Sequence, residues 1–309
     1  MVASLFSHYL KSRLSKRMPK AIIFGSNGQD GYYQKKLLES EKVEVIGVSR
    51  SNPTDIVGSV ADYVLVSELL KKEKPEYIFH LAANSSTRHD ALWDNHEAIA
   101  TGTLNILESA CQFSKNSKIF LSGSGLQFEN KNLPISEEAK LVSTSPYVIA
   151  RNYSLDAARY YRSLGLKVFF GFLFNHDSPK RGERHMAQKI ASYCRNINGQ
   201  NEKLLIGNID VKKEWTYAGD VVRAMWTLVN QKDEFEVVIG SGQDYSIKQW
   251  LESCFAIIGK DWQQYVEVNP GFIPEYDTLV SNPKKLMSLG WQPLVDFYQL
   301  AEMMVRQAN

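Results

Sequence analysis

A glycine-rich turn near the start of the chain constrains the possible fold most strongly. Residues 20–24, KAIIF, predict a buried strand, and residues 25–31, GSNGQDG, follow with glycines at the spacing G-x-x-G-x-x-G. Glycines at this spacing permit a tight turn, a close approach of backbone N–H groups to a pyrophosphate, and close packing of a following helix. The motif alone is weak evidence, but it predicts a strand–turn–helix unit that binds a dinucleotide. The predicted cofactor-binding residues of this turn are Gly25, Asn27, Gly28, Gln29, Asp30 and Gly31.

A second predicted strand indicates which dinucleotide binds. Residues 43–50, VEVIGVSR, follow about 20 residues later, as a strand–helix–strand unit requires. The acidic residue that usually binds an unphosphorylated ribose is missing, and Ser49 and Arg50 stand at the end of this strand. A hydroxyl and a guanidinium suit a 2′-phosphate. We therefore expect NADP, with NAD and an ordinary exposed arginine as the alternative.

Further apolar runs extend the same pattern. Residues 77–83 and 118–124 predict two more buried strands, with a helical segment over residues 91–112 between them. The predicted fold class is therefore α/β: a Rossmann-type doubly wound parallel sheet with a smaller C-terminal α/β substrate lobe. At the end of the first of these strands, the predicted cofactor-contacting residues are Leu81, Ala82 and Ala83.

A tyrosine and an arginine four positions apart are the main catalytic candidates. They lie in residues 145–151, SPYVIAR, as Tyr147 and Arg151. Residues four apart share a helix face, so the guanidinium can lie beside the phenol, favour its phenolate, and contact the cofactor with it. The spacing resembles the Tyr-x-x-x-Lys pair of short-chain dehydrogenases, with arginine replacing lysine. Ser124, expected just beyond its strand, is the third candidate, because its hydroxyl can bind a substrate oxygen beside Tyr147.

Together these motifs resemble the extended short-chain dehydrogenase/reductase family, and within it the GDP-mannose 4,6-dehydratases. The similarity covers nearly everything after residue 19 and includes LFNHDSPKRGE at 173–183, GNIDVKKEWTYAGD at 207–220 and NPKKLMSLGWQP at 282–293. The resemblance implies a hydride transfer between NADP and carbon 4 of a nucleotide-linked hexose, with the tyrosine as base. It also implies substrate-binding roles for Asn175, Lys189, Lys213 and Glu275, where Lys213 replaces an arginine of the family.

Four departures from the family pattern bear on the activity. Leu126 replaces the glutamate that moves the carbon 5 proton in the dehydratases, Arg151 replaces lysine, and Phe272 replaces an arginine that helps to hold the substrate diphosphate. In addition, the loop at 51–58 is shorter than the family loop that contributes to a tetramer. Because leucine transfers no proton, we favour a 4-keto reductase or epimerase acting on a GDP-linked hexose. The alternatives are a true dehydratase that uses another carboxylate, such as Glu129, and a catalytically silent paralogue that binds cofactor.

Composition bounds the remaining possibilities. With 309 residues, 44% hydrophobic and 23% charged, the chain is long enough to bury a large core and has the composition of a soluble globular protein. No run reaches membrane-spanning length and no secretory signal is evident, so a cytoplasmic protein without stable membrane association is expected. Three widely spaced cysteines and six histidines without a helix-spaced pair predict neither a disulfide framework nor a metal site.

The predicted organisation has three parts. Residues 1–19 are basic and are expected to be a disordered extension, with contact to a membrane surface, a nucleic acid or an import system as alternatives. Residues 20–174 are the predicted cofactor domain, which regains about 216–231. Residues 175–215 and 240–309 are the predicted substrate lobe, with the active site in the cleft between the lobes.

The predicted partners are a nucleotide-sugar substrate and a second copy of the chain. By resemblance, a homodimer is expected to form through the helices at 91–112 and 147–164. A nucleic acid is not expected as a partner, because no basic stripe with interleaved aromatic residues continues into the body of the chain.

Overall fold

The computed structural model describes residues 18–199, 202–269 and 271–307. All but the last two residues of the predicted basic extension therefore lie outside the described residues. The strands are β1 Lys20–Phe24, β2 Glu44–Ser49, β3 Ile56–Val57, β4 Tyr77–His80, β5 Lys118–Ser124, β6 Lys167–Leu173, β7 His176–Asp177, β8 Leu204–Ile206, β9 Lys212–Glu214, β10 Thr216–Tyr217, β11 Glu236–Ile239, β12 Asp244–Ser246, β13 Val266–Val268 and β14 Thr278–Leu279. The α-helices are α1 Gln29–Ser40, α2 Tyr63–Glu73, α3 Leu92–Asn95, α4 Gly102–Phe113, α5 Pro146–Ser163, α6 Met186–Arg195, α7 Ala218–Val229, α8 Ile247–Ile257, α9 Lys284–Ser288 and α10 Phe297–Arg306.

Seven parallel strands form the main sheet, in the order β11-β6-β5-β4-β1-β2-β3. The chain order runs outward in opposite directions from β1, so the carboxyl ends of β1 and β4 flank the switch point where such sheets bind ligands. This topology confirms the predicted fold class. Three of its strands were not predicted from the sequence: β6, which has seven residues, and β3 and β11, which are only two and four residues long.

Helices cover both faces of this sheet. Because side chains on both faces are buried, the strands are largely apolar along their length. Successive residues of β1 alternate between the faces: Ile22 belongs to one buried cluster and Ile23 to the other, and both are fully buried. The first cluster includes side chains of α2, α4 and α5, and the second includes side chains of α1, α7 and α9. A parallel sheet covered on both faces holds the carboxyl ends of its strands in a fixed arrangement, which positions the site.

The predicted helical segment at 91–112 is present but is not uniform. A 3₁₀ turn at His89–Ala91 leads into α3, a π-helical stretch spans His96–Thr101, and α4 completes the segment. Extra residues of this kind in a helix are frequent at functional sites. Here Glu97 and Ala98 of the stretch line a cavity near the ends of β2 and β4.

A third cluster lies under the smaller sheets and joins α6, α8 and α10. Its centre is a stacked pair, Trp215 and Trp250, with ring centroids 4.4 Å apart. Leu286 and Trp291 pack instead with the main sheet, and the Trp291 indole donates a hydrogen bond to the Asp220 carbonyl. The division of the chain into a cofactor domain and a substrate lobe remains a prediction.

Within the part of the chain that the structure describes, no helix is long and apolar enough to cross a membrane. The same residues contain no group of three or more histidine, cysteine or acidic side chains that could hold a metal ion.

Candidate active site

The glycine turn after β1 requires glycine for reasons that the structure makes specific. Gly25 has φ of +91°, and a Cβ there would lie 2.6 Å from the backbone nitrogen of Ala82. A Cβ at Gly31 would lie 2.4 Å from the carbonyl oxygen of Gly25. Any side chain at these positions would therefore push the turn away from β4 or from helix α1. The helix begins at Gln29, so its N-terminus faces the space above the turn.

A cavity of about 270 Å³ lies over this turn and the ends of β2 and β4. Arg50 is exposed at its edge, and no carboxylate in the described ranges forms an ion pair with it. Ser49 is oriented by the loop that follows, because its Oγ accepts a hydrogen bond from the Asn52 N–H at 3.0 Å. The sequence-predicted cofactor residues that line this cavity are Gly25, Asn27, Gly28, Ser49, Arg50, Leu81, Ala82 and Ala83.

A second cavity of about 370 Å³ shares lining residues with the first and extends along the carboxyl end of the sheet. It brings the remaining predicted cofactor residues together with all three catalytic candidates and part of the predicted substrate set. These residues are Gln29, Asp30, Gly31, Ser124, Tyr147, Arg151, Asn175 and Glu275.

Ser124 combines two roles in its surroundings. It is the last residue of β5, not the first residue beyond it, and it caps the short 3₁₀ helix at Gly125–Gln127. Its Oγ accepts a hydrogen bond from the Leu126 N–H at 3.2 Å, which leaves the hydroxyl proton free to be donated. Leu126 itself lines the cavity beside it, so an apolar side chain lies where the dehydratase resemblance implies a glutamate.

Tyr147 and Arg151 lie on the first two turns of α5. Ser145 starts this helix, because its Oγ accepts a hydrogen bond from the Val148 N–H at 3.3 Å. Tyr147 is 7% exposed and Arg151 is 5% exposed, and the guanidinium carbon lies 5.2 Å from the centre of the tyrosine ring. The guanidinium therefore lies against the tyrosine ring, as their shared helix face predicts, and the catalytic roles of the two residues remain predictions. The guanidinium is also bound to the Ser122 carbonyl oxygen and, at 2.9 Å, to the Ser122 Oγ.

The charge of Arg151 also acts on the histidine behind it. His80 is buried, and this burial, together with the nearby Arg151 guanidinium, lowers the pKa of the imidazole to about 3. His80 is consequently neutral at physiological pH and provides no second cation to the site.

Asp30 does more than its place in the glycine turn had indicated. Both its carboxylate oxygens lie 3.0 Å from Nε2 of His176, and Nδ1 of His176 lies 2.7 Å from the Phe174 carbonyl oxygen. Although burial favours the neutral acid, the histidine holds the pKa of Asp30 down at about 2. Burial likewise disfavours the imidazolium, but Asp30 raises the pKa of His176. The pair ties the start of α1 to the chain that leaves β6.

We expect Asp30→Asn to lower the free energy of unfolding by about 2 kcal/mol at pH 6 and to flatten its dependence on pH. The lowered pKa of Asp30 gives stability that is present above pH 4 and lost as the pH falls towards 2. The raised pKa of His176 gives stability that is present below pH 6.5 and lost as the pH rises through the raised value. Urea unfolding between pH 3 and 9 measures both. The matched control is Glu68→Gln, which removes an exposed ion pair with Lys71; equal profiles for the two variants would contradict the expectation.

The predicted substrate-binding residues divide into two groups. Asn175 lines the cavity and accepts a hydrogen bond from the Tyr276 hydroxyl at 3.3 Å, while Glu275 accepts one from the Thr87 hydroxyl across the cleft. Burial raises the pKa of Tyr276 to about 12, so this phenol stays protonated. The segment at 275–276 is therefore joined by hydrogen bonds to both Asn175 and Thr87.

The other predicted substrate residues do not line this cavity. Lys189 is exposed and its Nζ donates a hydrogen bond to the Leu205 carbonyl at 2.9 Å. Lys213 is half-buried over the ring of Trp215, at 4.3 Å, and burial lowers the pKa of its ammonium group. Phe272, the residue that replaces a family arginine, is 52% exposed and packs on Gly207. Their substrate-binding roles remain predictions.

Two cationic or basic residues of the cavity were not selected from the sequence. Arg181 lines it and lies 3.3 Å from the Asp177 carboxylate, and His185 lines it nearby. Burial, and then the charge of Arg181, lower the pKa of His185 to about 4, so the ring is neutral. The sequence could have indicated Arg181, because this residue belongs to the LFNHDSPKRGE motif at 173–183.

A doubly wound sheet with a glycine turn, and a serine, a tyrosine and a basic residue at its carboxyl edge, defines the class of extended short-chain dehydrogenases/reductases. The family model for GDP-mannose 4,6 dehydratase matches residues 22–304. The chain belongs to that family, which confirms the resemblance noted in its motifs.

Individual relatives agree with this assignment. GDP-mannose 4,6 dehydratase 2 of Arabidopsis thaliana is 30% identical, over 92% of this chain and 85% of the relative. Two solved structures share the fold at lower identity. RMD from Pseudomonas aeruginosa, complexed with NADPH, has a TM-score of 0.79 at 19% identity, over 94% of this chain and 97% of the other. dTDP-glucose 4,6-dehydratase from Bacillus anthracis str. Ames, in complex with NAD, has a TM-score of 0.81 at 17% identity, over 93% and 96%.

Proposed function

We propose that the chain is an NADP-dependent oxidoreductase that acts at carbon 4 of a GDP-linked hexose, as a 4-keto reductase or an epimerase. Family membership supports the nucleotide-sugar substrate. The observation that supports this choice of reaction is the set of carboxylates that line the second cavity, which holds Ser124, Tyr147 and Arg151. Only Asp30 and Glu275 provide carboxylates among its described lining residues, and both are already engaged. Elimination of water needs a free base at carbon 5, and Leu126 cannot act as one.

The residues of the cleft suit a hydride transfer at a carbonyl. A nicotinamide cofactor, when bound, supplies or accepts the hydride. During reduction, the Tyr147 hydroxyl donates its proton to the carbonyl oxygen, and the Ser124 hydroxyl donates a hydrogen bond to the same atom. The nearby Arg151 cation stabilises the phenolate that remains. In the reverse direction, the phenolate takes the proton back from the substrate hydroxyl.

NADP is proposed over NAD because of the charge at the end of β2. Arg50 lines the first cavity and has no carboxylate partner among the described residues, so its guanidinium is available to a 2′-phosphate. The cradle at Gly25 and Gly31, where any Cβ would collide with backbone, fits the close approach of a pyrophosphate. Solved relatives of this fold include complexes with either dinucleotide.

The function is tested by incubating the purified protein with NADPH and either a GDP-linked 4-keto-6-deoxyhexose or GDP-mannose. A reductase is expected to cause loss of NADPH absorbance, and a product two mass units heavier, with the keto sugar only. An epimerase is expected instead to convert GDP-mannose into an isomer of equal mass with no net loss of NADPH absorbance. Dehydration of GDP-mannose would refute the weight given to Leu126. Cofactor binding without turnover of either compound would point to a silent paralogue.

A true dehydratase is the second candidate, and the position of one further carboxylate favours it. Glu129 lines a recess that shares Leu126, Glu275 and Tyr276 with the main cavity, so a carboxylate is present nearby. Its Oε2 lies 3.1 Å from Lys131 Nζ and the side chain is 38% exposed. Glu129 would have to leave this ion pair to reach a substrate, and for that reason we rank it below the redox reaction.

A homodimer is proposed from the outer face of α5. One face of α5 carries three exposed apolar or aromatic side chains: Ile149, Tyr153 and Tyr160, which are 54%, 41% and 60% exposed. Leu104 of the neighbouring helix α4 is also exposed. An apolar face of this kind fits a second copy of itself through a two-fold axis. A cytoplasmic location remains a prediction.

Ile149→Glu combined with Tyr160→Glu is expected to convert a dimer into a monomer, because two carboxylates would be buried without partners at the two-fold contact. Light scattering after gel filtration measures this as a fall from twice 35.1 kDa to 35.1 kDa. Val64→Glu is the matched control, since Val64 is an exposed apolar residue on α2. A monomeric unmodified protein, or a dimeric double variant, would contradict the proposal.

A further inference from the structure

Arg151 has an unusual environment for a cation. It is 5% exposed, and none of the carboxylates in the described part of the chain forms an ion pair with it. Its Nε is buried without a hydrogen-bond partner. A buried charge without a counter-ion is costly, so the site favours any negative charge that develops next to it. The guanidinium faces the ring of Tyr147, whose centre lies 5.2 Å from the guanidinium carbon.

Ser122 holds this guanidinium by two groups. Nη1 of Arg151 donates to both the carbonyl oxygen and the Oγ of Ser122. The same hydroxyl donates its proton to the His80 carbonyl oxygen at 3.0 Å, so its lone pairs are directed at the arginine. Ser122 is 4% exposed and lies in β5 between β4 and β6, where the sheet keeps it in place.

An arginine and a lysine would use this arrangement differently. The planar guanidinium presents several donors in a rigid fork, so one nitrogen can stay on Ser122 while the group still contacts the Tyr147 ring. A lysine is a flexible point charge with no such fork. Because a lysine carries its charge and its donors on one nitrogen, that nitrogen could not stay on Ser122 while another part of the group contacts Tyr147. The Ser122 hydroxyl therefore suits an arginine at position 151 better than a lysine.

We infer that Ser122 is a positioning residue, which acts through Arg151 to hold the cation against Tyr147 and so makes an arginine work where the family resemblance implies a lysine. The inference rests on the proposed function, since it assumes that Tyr147 exchanges a proton with the substrate.

A double-mutant cycle tests the dependence of Ser122 on Arg151. The variants are Ser122→Ala, Arg151→Lys and the two together. We expect Ser122→Ala to lower kcat about 10-fold, the size of one lost charge-assisted hydrogen bond, with KM changed by less than about 2-fold. Arg151→Lys is expected to lower kcat by a similar factor. When Ser122→Ala is added to the Arg151→Lys variant, it is expected to have almost no further effect. Independent, multiplying losses would overturn the inference, because a merely structural role would persist in both proteins.

Two further variants separate positioning from folding. Ser122→Thr keeps the hydroxyl and is expected to retain kcat within about 3-fold of the unmodified protein. Ser109→Ala is the matched control, because Ser109 is also fully buried but its hydroxyl has no hydrogen-bond partner. It is expected to leave kcat unchanged. A loss in Ser109→Ala equal to that in Ser122→Ala would refute the special role of Ser122.

A readout without turnover keeps the inference separate from the proposed function. Nitrogen-15 NMR of the arginine side chains is expected to show slowed rotation of the Arg151 guanidinium, assigned with Arg151→Lys, and faster rotation in Ser122→Ala. Slow rotation with no turnover of any sugar would refute the proposed function while leaving the Ser122 contact intact. Rotation that is equally fast in both proteins would overturn the inference itself.

Discussion

Tyr147→Phe is expected to lower kcat by about 1000-fold or more, because it removes the hydroxyl that donates the proton in the proposed reaction, in the cavity lining that also holds Arg151 and Ser124. The substitution keeps the aromatic ring, so the contact with the guanidinium and the packing at the start of α5 should survive. Thermal stability and NADPH affinity are therefore expected to change little. Stopped-flow measurement of NADPH oxidation with the keto sugar gives the rate of turnover, and a fluorescence titration gives the NADPH affinity separately.

Tyr153→Phe is the matched control for this result. Tyr153 lies on the same helix and is 41% exposed, away from the cavity lining. Its hydroxyl should be dispensable for turnover. Ser124→Ala is also expected to abolish activity, but it removes the cap of the turn at Gly125–Gln127 as well, so it is the less specific test. A protein that turns over normally without the Tyr147 hydroxyl would refute the site assignment.

The fold was predictable because its signals are local. Glycine spacing, the apolar runs of the strands and the helix over 91–112 are each visible within a short window, and a parallel sheet buried on both faces makes those runs continuous. Strand β6 was missed although its apolar run of seven residues is local. The other two missed strands, β3 and β11, are short and lie at the two edges of the sheet. Their pairing depends on contacts with β2 and β6, which are distant in sequence or separated by a loop.

The site was predictable only in part, because its geometry depends on contacts between distant residues. The sequence identified Tyr147 and Arg151 from their spacing, but it gave no indication that Ser122 of strand β5 would bind the guanidinium. It likewise assigned Asp30 to the cofactor turn without its histidine partner, which is 146 positions away. Lys189 and Lys213 were chosen by resemblance alone, and the structure places both outside the cavity lining.

Gly31→Ala is expected to weaken NADPH binding by at least about 100-fold and to destabilise the fold by about 2 kcal/mol. The added Cβ would lie 2.4 Å from the Gly25 carbonyl oxygen and 2.6 Å from the Ser26 Cα, and both are backbone atoms that no side-chain rotation can move. Helix α1 must then shift away from the turn, which carries its N-terminal N–H groups away from the pyrophosphate position. Gly25→Ala adds a positive φ to a similar collision and should be at least as severe.

Two other glycines show why this result would be specific to the turn. Gly165 has φ of +93° but open space around its Cβ position, so Gly165→Ala should cost only about 1 kcal/mol of backbone strain and leave NADPH affinity unchanged. Gly199 has neither a positive φ nor a close neighbour and should tolerate alanine. Chemical unfolding measures the loss of fold stability, and a fluorescence titration measures the loss of NADPH affinity. If Gly31→Ala bound NADPH as tightly as Gly199→Ala, the turn would not be holding the cofactor phosphates, and the dinucleotide site would have to lie elsewhere.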